Sequence, residues 1–574
     1  MACSVPHTPG SAFPEDKKQM TSPSGPSAAG QAVAGDDADS ASGATAAGAS
    51  GATEPGHNGQ VVKPAEAMPS AAAMPAERGY DAGPAWARFL PPLLALAFTL
   101  WGITGPSFWR DEAATIAAVG RPFGDLIKML GNVDAVHSLY YMMMWPVEHI
   151  FGPGELVLRL PSALAAAAAA AAVAAIGRRL ISPWAGLISG VLLAVLPVVS
   201  RYGQEARSYE LVIALATTAS YLLIRMLGTE PGQRRRWLIG YGASIGALGI
   251  MNIFGLLLIP AHAVTVALYS RADRRDPATK RLALGWLAAV IAGVVLASPL
   301  LALGWMQRGQ IAWLSANQSS SGLNTLFSLS GSYLVSTTII AVVTVALILS
   351  LDKTRRQRAA AWPGQIVSLA LPWMIVPPFL LLAASVVHPV YTSRYVLMCI
   401  PALALIAGTA VASFNRITGS VALIAILLAG ATDQLTIRGP AGHYDDIAAL
   451  DQIVAAHARP GDAVLYPNPN AESFGAAYHS GLSKLSNVAI GSGAIPSGTL
   501  AGTVAPLAEI RARLMHVKRL WVVEINSFNA EPYLVGLNGL PVANGNPVLL
   551  GTPLTNLAGY WHEHGDYLIL FTRG

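Results

Sequence analysis

The sequence is poor in charge and almost free of cysteine. Only 12% of its 574 residues are charged, whereas 53% are hydrophobic; an ordinary soluble domain carries about 25% charged residues. A chain with so little polar surface cannot cover a water-soluble core of this size. Its two cysteines, Cys3 and Cys399, cannot form a disulfide framework or a thiolate zinc site.

Patterns typical of nucleotide or nucleic-acid binding are also lacking. The glycines of GSGAIPSG, residues 491–498, neither follow a clear strand nor open a helix. We therefore interpret them as a loop and not as a nucleotide-binding fingerprint. The net charge of +5 is modest, and the basic residues lie between apolar blocks. This placement indicates membrane topology and no nucleic-acid partner.

The chain instead contains a series of apolar blocks, each with the length of about twenty residues that crosses a bilayer as a helix. We predict an all-α polytopic membrane bundle of about eleven such spans. They start near Arg88, Leu156, Trp184, Leu211, Trp237, Gly255, Leu282, Tyr333, Gln365, Tyr395 and Val421. The segment Leu139–Phe151 is shorter and contains Pro146, Glu148 and His149. We predict that it is interfacial or re-entrant.

The positive-inside rule then orients the bundle. With Leu139–Phe151 left out of the count, all the basic clusters fall on one side. These clusters are Arg178-Arg179, Arg234–Arg236, Arg271–Arg281, Lys353–Arg358 and Arg416. We predict a multi-pass plasma-membrane protein with a cytoplasmic N terminus. The outside loops are then Ser107–Gly154, Arg201–Glu210, Met306–Ser332 and His388–Arg394.

The composition predicts three regions. Residues 1–86 are rich in Ala, Gly, Ser, Pro and Asp and are expected to be a disordered cytoplasmic extension. Residues 87–436 contain the membrane spans. In residues 437–574, helical patterns such as DIAALDQIVAAHAR and IRARLMHV alternate with the apolar strands DAVLYP, LWVVEI and YLILFTR. This alternation predicts a small α/β domain on the extracytoplasmic side.

Two predicted outside loops are unusually rich in charge. The first begins with the adjacent carboxylates Asp111 and Glu112 directly after a span, where charge is costly unless it lies in water or serves a function. The second holds four charges in ten residues, Arg201–Glu210. Snorkelling at the membrane interface would explain one arginine there but not four charges. A helical continuation would place Arg201 and Glu205 on one face.

The placement of these groups on one face suggests a chemistry. A carboxylate can take a proton from an attacking hydroxyl. Arginines can neutralise a phosphate leaving group through forked hydrogen bonds. These are the groups needed to transfer a substituent from a lipid-linked phosphate to an acceptor hydroxyl.

Five motifs, in their order along the chain, resemble those of the GT-C glycosyltransferases. They are FWRDEA, the His-x-Leu-Tyr-Tyr sequence from His137, LRLPSALAA, SRYGQEARSYEL and SRYVLMCIPALALIAG. The sequence is most similar to glycosyltransferase family 39, which contains protein O-mannosyltransferases and aminoarabinose transferases. The resemblance covers roughly residues 87–436, and the alanine-rich composition is similar to actinobacterial members. Residues 437–574 match the family only in position.

The resemblance implies an inverting transfer from a polyprenyl-phosphate sugar on the side away from the cytoplasm. Asp111 matches the family's general base, with Glu112 as a supporting or acceptor-positioning carboxylate beside it. The remaining matches are donor-phosphate residues, Arg201, Arg207, Arg394 and Tyr395, and supporting residues, His137, Glu205, His388 and Tyr391. Family members often carry His-Pro-Pro-Leu where this chain has His137-Ser138-Leu139, so this turn is less rigid here.

An inverting displacement needs a base on the acceptor side and charge stabilisation on the leaving side, and it requires no second carboxylate as nucleophile. We therefore expect no obligatory metal or other cofactor, although Asp111, Glu112 and the histidines could hold a divalent cation, as in some branches of the superfamily. The ligand-like triplet His562-Glu563-His564 lacks a third partner, so we do not assign it a metal.

The expected sugar is mannose, with arabinose or another sugar as alternatives, and the acceptor is a hydroxyl of a cell-envelope glycan, lipid or protein. Two other classes stay open. A transporter or flippase of lipid-linked saccharides would show internal repeats and charges near the bilayer midplane, and neither is evident. A non-catalytic cell-envelope scaffold would leave the carboxylate and arginine clusters without a purpose.

Overall fold

The computed structural model describes residues 84–271, 275–309, 322–351, 364–388, 390–525, 552–563 and 566–574. Residues 1–83 of the predicted N-terminal extension lie outside the described residues. The same holds for the basic cluster Lys353–Arg358 and for His564.

The described part of residues 84–436 is built from α-helices and short 3₁₀ helices. The α-helices are α1 (Trp86–Leu100), α2 (Arg110–Val119), α3 (Phe123–Asn132), α4 (Ser138–Phe151), α5 (Glu155–Leu180), α6 (Pro183–Val195), α7 (Pro197–Gly203), α8 (Tyr209–Leu227), α9 (Arg235–Met251), α10 (Leu258–Ser270), α11 (Pro277–Met306), α12 (Gly322–Ser330), α13 (Tyr333–Leu351), α14 (Gly364–Val387), α15 (Ile400–Ser413), α16 (Arg416–Ala429) and α17 (Ala431–Thr436). The 3₁₀ helices Ile253–Leu257 and Ser393–Cys399 lead directly into α10 and α15.

Seven of the described helices are long and apolar enough to cross a membrane: α5, α8, α11, α13 and α14, with α10 and α15 when each includes its 3₁₀ helix. The pair α6 and α7, bent by 58°, makes an eighth if it counts as one broken span. The other predicted spans coincide with α1, α9 and α16, which have only 15, 17 and 14 residues. The all-α polytopic fold is thus confirmed. By length and composition seven or eight spans are found among the described residues, and the total of about eleven stays a prediction.

The ambiguous segment forms the 14-residue helix α4. At 1.5 Å per residue it is about 21 Å long, less than the hydrocarbon core of about 30 Å. A straight crossing is therefore excluded for α4. Its interfacial position stays a prediction.

The helices α5 and α8 each carry arginine in their last turn, far from the residues at their N-terminal ends. α5 starts at Glu155, whose carboxylate accepts a hydrogen bond from Tyr478 at 3.0 Å, and it runs for 26 residues, about 39 Å. Arg178 and Arg179 lie in its last turn. Likewise, α8 starts at Tyr209, and Arg225 lies in its last turn. These arginines lie at the end of the bundle opposite to Tyr478; which end faces the cytoplasm stays a prediction.

Glycine lets α5 and α6 approach each other closely. A Cβ added to Gly186 would lie 2.4 Å from the backbone nitrogen of Arg178, and one added to Gly177 would lie 2.7 Å from the Cα of Gly186. Small residues at such crossings let membrane helices gain van der Waals contact along their backbones. The alanine-rich sequence of α5 serves the same close packing.

Residues after 437 form a small mixed sheet with short helices. These elements are α18 (Ile447–His457), β1 (Ala463–Leu465), α19 (Phe474–Ala477), β2 (Ser486–Asn487), α20 (Ala494–Ser497), α21 (Leu507–Leu514), β3 (Arg519–Ile525), β4 (Asn556–Glu563) and β5 (Asp566–Thr572). The strand order is β2-β1-β3-β5-β4, with β2, β1 and β3 parallel and β3, β5 and β4 antiparallel. The predicted helices and strands are present. The GSGAIPSG segment is not entirely loop, because it contains the one-turn helix α20.

The sheet buries both of its faces because side chains alternate along β3. Leu520 and Val522 pack with Leu514 of α21. Trp521, on the other face, packs in a cluster that includes Leu450 of α18 and Ala113 of α2. Helix α2 is therefore fixed against the C-terminal sheet region.

We predict that Gly186→Ala lowers the melting temperature of the detergent-purified protein. The new methyl group would enter the backbone of α5, and overpacking of this kind costs about 1–3 kcal/mol. The matched control is Gly124→Ala in α3, where an added Cβ meets nothing within 4 Å. Equal melting temperatures for the two variants would contradict the tight α5–α6 contact.

Candidate active site

Helix α2 presents two adjacent carboxylates to different surroundings. Neighbouring residues on a helix point about 100° apart, so Asp111 and Glu112 cannot face the same partners. The side chain of Glu112 is fully buried, whereas that of Asp111 is 23% exposed. The two carboxylates therefore have separate tasks.

Glu112 forms a buried ion pair with Arg159 of α5. Nε and Nη2 of Arg159 donate to the two carboxylate oxygens, each at 2.8 Å. The backbone N–H of Ala206 donates to Oε1 at 2.8 Å. Arg159 also donates to the carbonyl oxygens of Ile103, Pro106 and Ser107. Both side chains have filled hydrogen-bonding capacity, so their geometry is that of a structural anchor.

The ion pair also fixes the charge of Glu112. Burial by itself would raise the pKa of this carboxyl group, but the facing guanidinium of Arg159 outweighs burial and holds the pKa well below its ordinary value. Glu112 is thus ionised at neutral pH and acts as an acceptor of hydrogen bonds only.

Asp111 contacts an arginine from the distant 3₁₀ helix Ser393–Cys399. Nη1 of Arg394 lies 2.6 Å from Oδ2 of Asp111. Burial would raise the pKa of Asp111, but Arg394 and Arg207 lower it below its ordinary value. Asp111 is therefore an ionised, partly accessible carboxylate, which can accept a proton once Arg394 moves to another anion.

Arg207 links Asp111 to His137 and Tyr141. Its Nη1 donates to the backbone oxygen of Asp111 and to the hydroxyl of Tyr141, each at 3.3 Å. Its Nη2 lies 3.1 Å from Nε2 of His137. Because a guanidinium only donates, His137 accepts through Nε2 and is neutral. Burial and the charge of Arg207 lower the pKa of His137 accordingly.

The hydroxyl of Tyr141 continues this network by donating to Oδ2 of Asp134 at 3.0 Å. Asp134 has a left-handed backbone with a φ of 59°, which an aspartate tolerates better than most residues. Arg207 is thus fixed by His137 and Tyr141, and its position beside Asp111 is set before any ligand binds.

Arg201 and Glu205 form the pair that their spacing of four predicts. Nη1 of Arg201 lies 2.7 Å from Oε1 of Glu205, and both side chains are almost completely buried. The guanidinium carbon lies 4.9 Å from the ring centre of Tyr444 and 5.3 Å from that of Trp109, within cation–π distance. Trp109 is the residue before α2, so Arg201 also lies beside the site.

Three predicted residues do not contact this cluster through any described hydrogen bond or ion pair. His388 is exposed at the end of α14. Tyr391 shares a hydrogen bond with Thr325 of α12. Tyr395 stacks on Phe254, with ring centres 4.1 Å apart. By contrast, Asp111, Glu112, His137, Arg201, Glu205, Arg207 and Arg394 are brought together.

The segment after α17 also reaches the site. His443 is buried, 3.7 Å from Glu112, and burial lowers its pKa. Tyr444 lies over Arg201. Asp445 accepts from the backbone N–H of Arg110 at 2.9 Å and from its guanidinium at 2.6 Å. The N terminus of α2 is thereby fastened to the chain that leads into the sheet.

The sequence prediction missed Arg159, Tyr141, Asp134 and the segment 443–445. Arg159 had a usable signal, because a charge inside a predicted span is costly unless it is paired. Tyr141 lies in the His-x-Leu-Tyr-Tyr motif. The segment 443–445 gave no signal, since it follows the last span and reaches α2 only through the tertiary fold.

No group of three or more histidine, cysteine, aspartate or glutamate side chains that could hold a metal ion occurs among the described residues. The carboxylates at the site contact arginines. The expectation that the reaction needs no metal stays a prediction.

Residues 138–303 match the family model described as dolichyl-phosphate-mannose-protein mannosyltransferase. This segment contains Arg159, Arg201 and Arg207 but not α2. No curated protein sequence matches the chain significantly.

Solved structures give a wider match. ArnT from Cupriavidus metallidurans is similar in its apo state, with a TM-score of 0.53, and bound to undecaprenyl phosphate, with a TM-score of 0.54. In both cases the identity is 13%, and the alignment covers 84% of this chain and 97% of ArnT. The chain has the GT-C fold. At this identity the likeness establishes the GT-C fold and not the activity.

The apo oligosaccharyltransferase from Archaeoglobus fulgidus is more distant. Its TM-score is 0.44 at 10% identity, and the match covers 77% of this chain and 69% of that chain. The GT-C assignment rests on ArnT.

We predict that Arg159→Met strongly destabilises the GT-C bundle. The change leaves Glu112 buried and unpaired, which costs about 3–5 kcal/mol. Adding Glu112→Gln should restore more than half of the loss, because a neutral amide can still accept from Ala206. The measurement is the melting temperature in detergent.

The control for this pair is Glu509→Gln, which removes the exposed ion pair with Arg513 and should cost less than about 1 kcal/mol. If Arg159→Met and Glu509→Gln lower the melting temperature equally, Arg159 is not the anchor described above.

A further prediction concerns Glu205 and pH. Burial raises the pKa of Glu205 from 4.5 to about 7, and Arg201 counters burial only in part. The folded state therefore keeps a proton that the unfolded state loses, so the contribution of Glu205 to stability falls as pH rises from about 4.5 to about 7. In this pH window the melting temperature of Glu205→Gln should change less with pH than that of the native protein. An unchanged pH profile would contradict the raised pKa.

Proposed function

We propose that the protein is an inverting glycosyltransferase of the GT-C superfamily. It would transfer a sugar from a polyprenyl-phosphate donor to a hydroxyl of a cell-envelope glycan, lipid or protein. The observation that carries the proposal is a partly exposed carboxylate, Asp111, that pairs with Arg394 at one end of the helical bundle. Arg207 lies beside it and donates to its backbone oxygen.

In the proposed reaction Asp111 is the general base. The acceptor hydroxyl donates its proton to Oδ2 of Asp111 as its oxygen attacks the anomeric carbon. The bond between that carbon and the phosphate oxygen breaks, and the electron pair leaves with the phosphate. Arginine can stabilise this leaving anion without a general acid. The configuration at the anomeric carbon is inverted, because there is a single displacement.

Because of the ion pair between Asp111 and Arg394, Asp111 becomes available as the general base when the donor binds. Without a ligand, Oδ2 of Asp111 is occupied by Arg394 at 2.6 Å. A donor phosphate competes for the same guanidinium because forked contacts to phosphate are strong. When Arg394 turns to the phosphate, Asp111 loses its counter-ion and becomes more basic. The base is thus freed only when the donor is present.

Two further arginines, Arg207 and Arg201, are held in place beside the site before a ligand binds. Arg207 is held rigidly by His137 and Tyr141, and Arg201 is held by Glu205 and by the aromatic rings of Trp109 and Tyr444. Both can meet a phosphate without much loss of side-chain freedom. This preorganisation lowers the entropic cost of binding and of stabilising the leaving group.

The comparisons support the class of donor. The structure of ArnT was solved with bound undecaprenyl phosphate. The description of the matching family model names dolichyl-phosphate-mannose. We therefore propose family 39 as the branch, mannose as the sugar and arabinose as the alternative. The alanine-rich composition is similar to that of actinobacterial members. The basic clusters support a cytoplasmic N terminus and an outward-facing site.

Transport of lipid-linked saccharides is not favoured. The charged cluster lies among loops and helix ends at one end of the bundle. Transporters instead place their substrate sites near the bilayer midplane, between repeats.

We predict that Asp111→Asn lowers sugar transfer at least about 100-fold, since a positioned base contributes about 10²–10⁴-fold. Binding of undecaprenyl phosphate should be kept or strengthened, because Arg394 is released. The assay uses purified protein, a panel of polyprenyl-phosphate sugars and direct binding of undecaprenyl phosphate. The matched control is Asp125→Asn in α3, which should keep both properties. Full transfer by Asp111→Asn would refute the base assignment.

A further inference from the structure

Tyr444 combines a strained backbone with an exposed side chain. Its φ is 83°, and Asp134 is the other non-glycine residue with a positive φ among the described residues. This backbone region is unfavourable for a bulky aromatic residue. Such strain persists only where the surrounding structure enforces it, and it is concentrated at functional sites. Both strained residues belong to the candidate active site.

The two neighbours of Tyr444 enforce its conformation. His443 is completely buried beside Glu112. Asp445 is 2% exposed and pairs with Arg110. With both neighbours fixed inward, Tyr444 is turned outward, and 47% of its surface is exposed. A tyrosine that served only packing would be expected to be buried, as its two neighbours are.

The ring of Tyr444 lies directly beside the proposed phosphate site. Its centre is 4.9 Å from the guanidinium carbon of Arg201 and 5.5 Å from the ring centre of Trp109. Arg201 covers part of the ring, and the exposed remainder faces outward next to that arginine. A group attached to a phosphate held by Arg201 would therefore lie within reach of this ring.

We propose that Tyr444 binds the sugar ring of the lipid-linked donor. An aromatic ring offers an apolar surface to the C–H groups of a sugar. The proposal rests on the proposed function and deepens it. It also gives the segment after the last membrane helix a direct part in donor recognition, separate from any part in acceptor binding.

Tyr444→Gly separates binding from folding. Glycine accepts a positive φ without strain, so this variant should fold with an unchanged or higher melting temperature. We expect its kcat/KM for the lipid-linked sugar to fall about tenfold or more, as for the loss of one good contact in a binding site. Tyr444→Phe keeps the ring and should stay closer to the native value. Tyr560→Ala, an exposed tyrosine of β4, should leave transfer unchanged.

The decisive second measurement is binding of undecaprenyl phosphate, which has no sugar. If Tyr444 contacts the sugar, Tyr444→Gly should lose much less affinity for this lipid than it loses in transfer, because Glu205 and Trp109 still hold Arg201 beside the phosphate. Normal transfer by Tyr444→Gly would overturn the proposal. So would a loss of undecaprenyl phosphate binding as large as the loss of transfer, since Tyr444 would then only position Arg201.

The same assay distinguishes this proposal from the function on which it rests. If the native protein transfers none of the sugars of the panel and does not bind undecaprenyl phosphate, the proposed function fails. If the native protein is active and Tyr444→Gly is equally active, only the role of Tyr444 fails.

Discussion

The ion pair between Glu112 and Arg159 joins four segments of the chain. These are helix α2, helix α5, the turn before α2 and the loop that carries Ala206 and Arg207. A charge pair without solvent contact costs desolvation energy, which only a complete set of hydrogen bonds can offset. Here every donor of Arg159 that faces the pair has an acceptor. The position of Asp111 relative to its arginines depends on this anchor.

Around the anchor the site has a graded arrangement of charge. Glu112 is buried and committed to structure, while Asp111, one residue earlier, is partly accessible and paired with a residue that another anion can attract. Arg207 is fixed by the neutral side chains of His137 and Tyr141. Arg201 is fixed by Glu205. In the proposed function, this arrangement holds positive charge ready for the donor phosphate and keeps Asp111 paired with Arg394 until that phosphate binds. Both properties follow from which oxygens are already occupied.

The C-terminal region is part of the same unit. The sheet packs on α2 through Ala113 and Trp521, Tyr478 donates to Glu155, and Asp445 fastens Arg110. Through these contacts the small sheet is packed on the helical bundle and is not a detached domain. They also bring Tyr444 to Arg201, so the proposed recognition of the sugar would depend on the packing of the sheet.

The membrane class, the positions of the apolar helices and the residues of the charged loops could be predicted from the sequence, because apolar length and the cost of unpaired charge are local properties of the chain. The sequence also indicated the pair Arg201–Glu205 through helical spacing. Which carboxylate is the anchor and which is accessible follows from the tertiary fold alone, since that depends on Arg159 and Arg394, 47 and 283 residues away. The same reason explains why the segment 443–445 was missed, while the supporting role of His388 stays a prediction. Contacts between helices that are distant in the sequence produce no periodic pattern of residues.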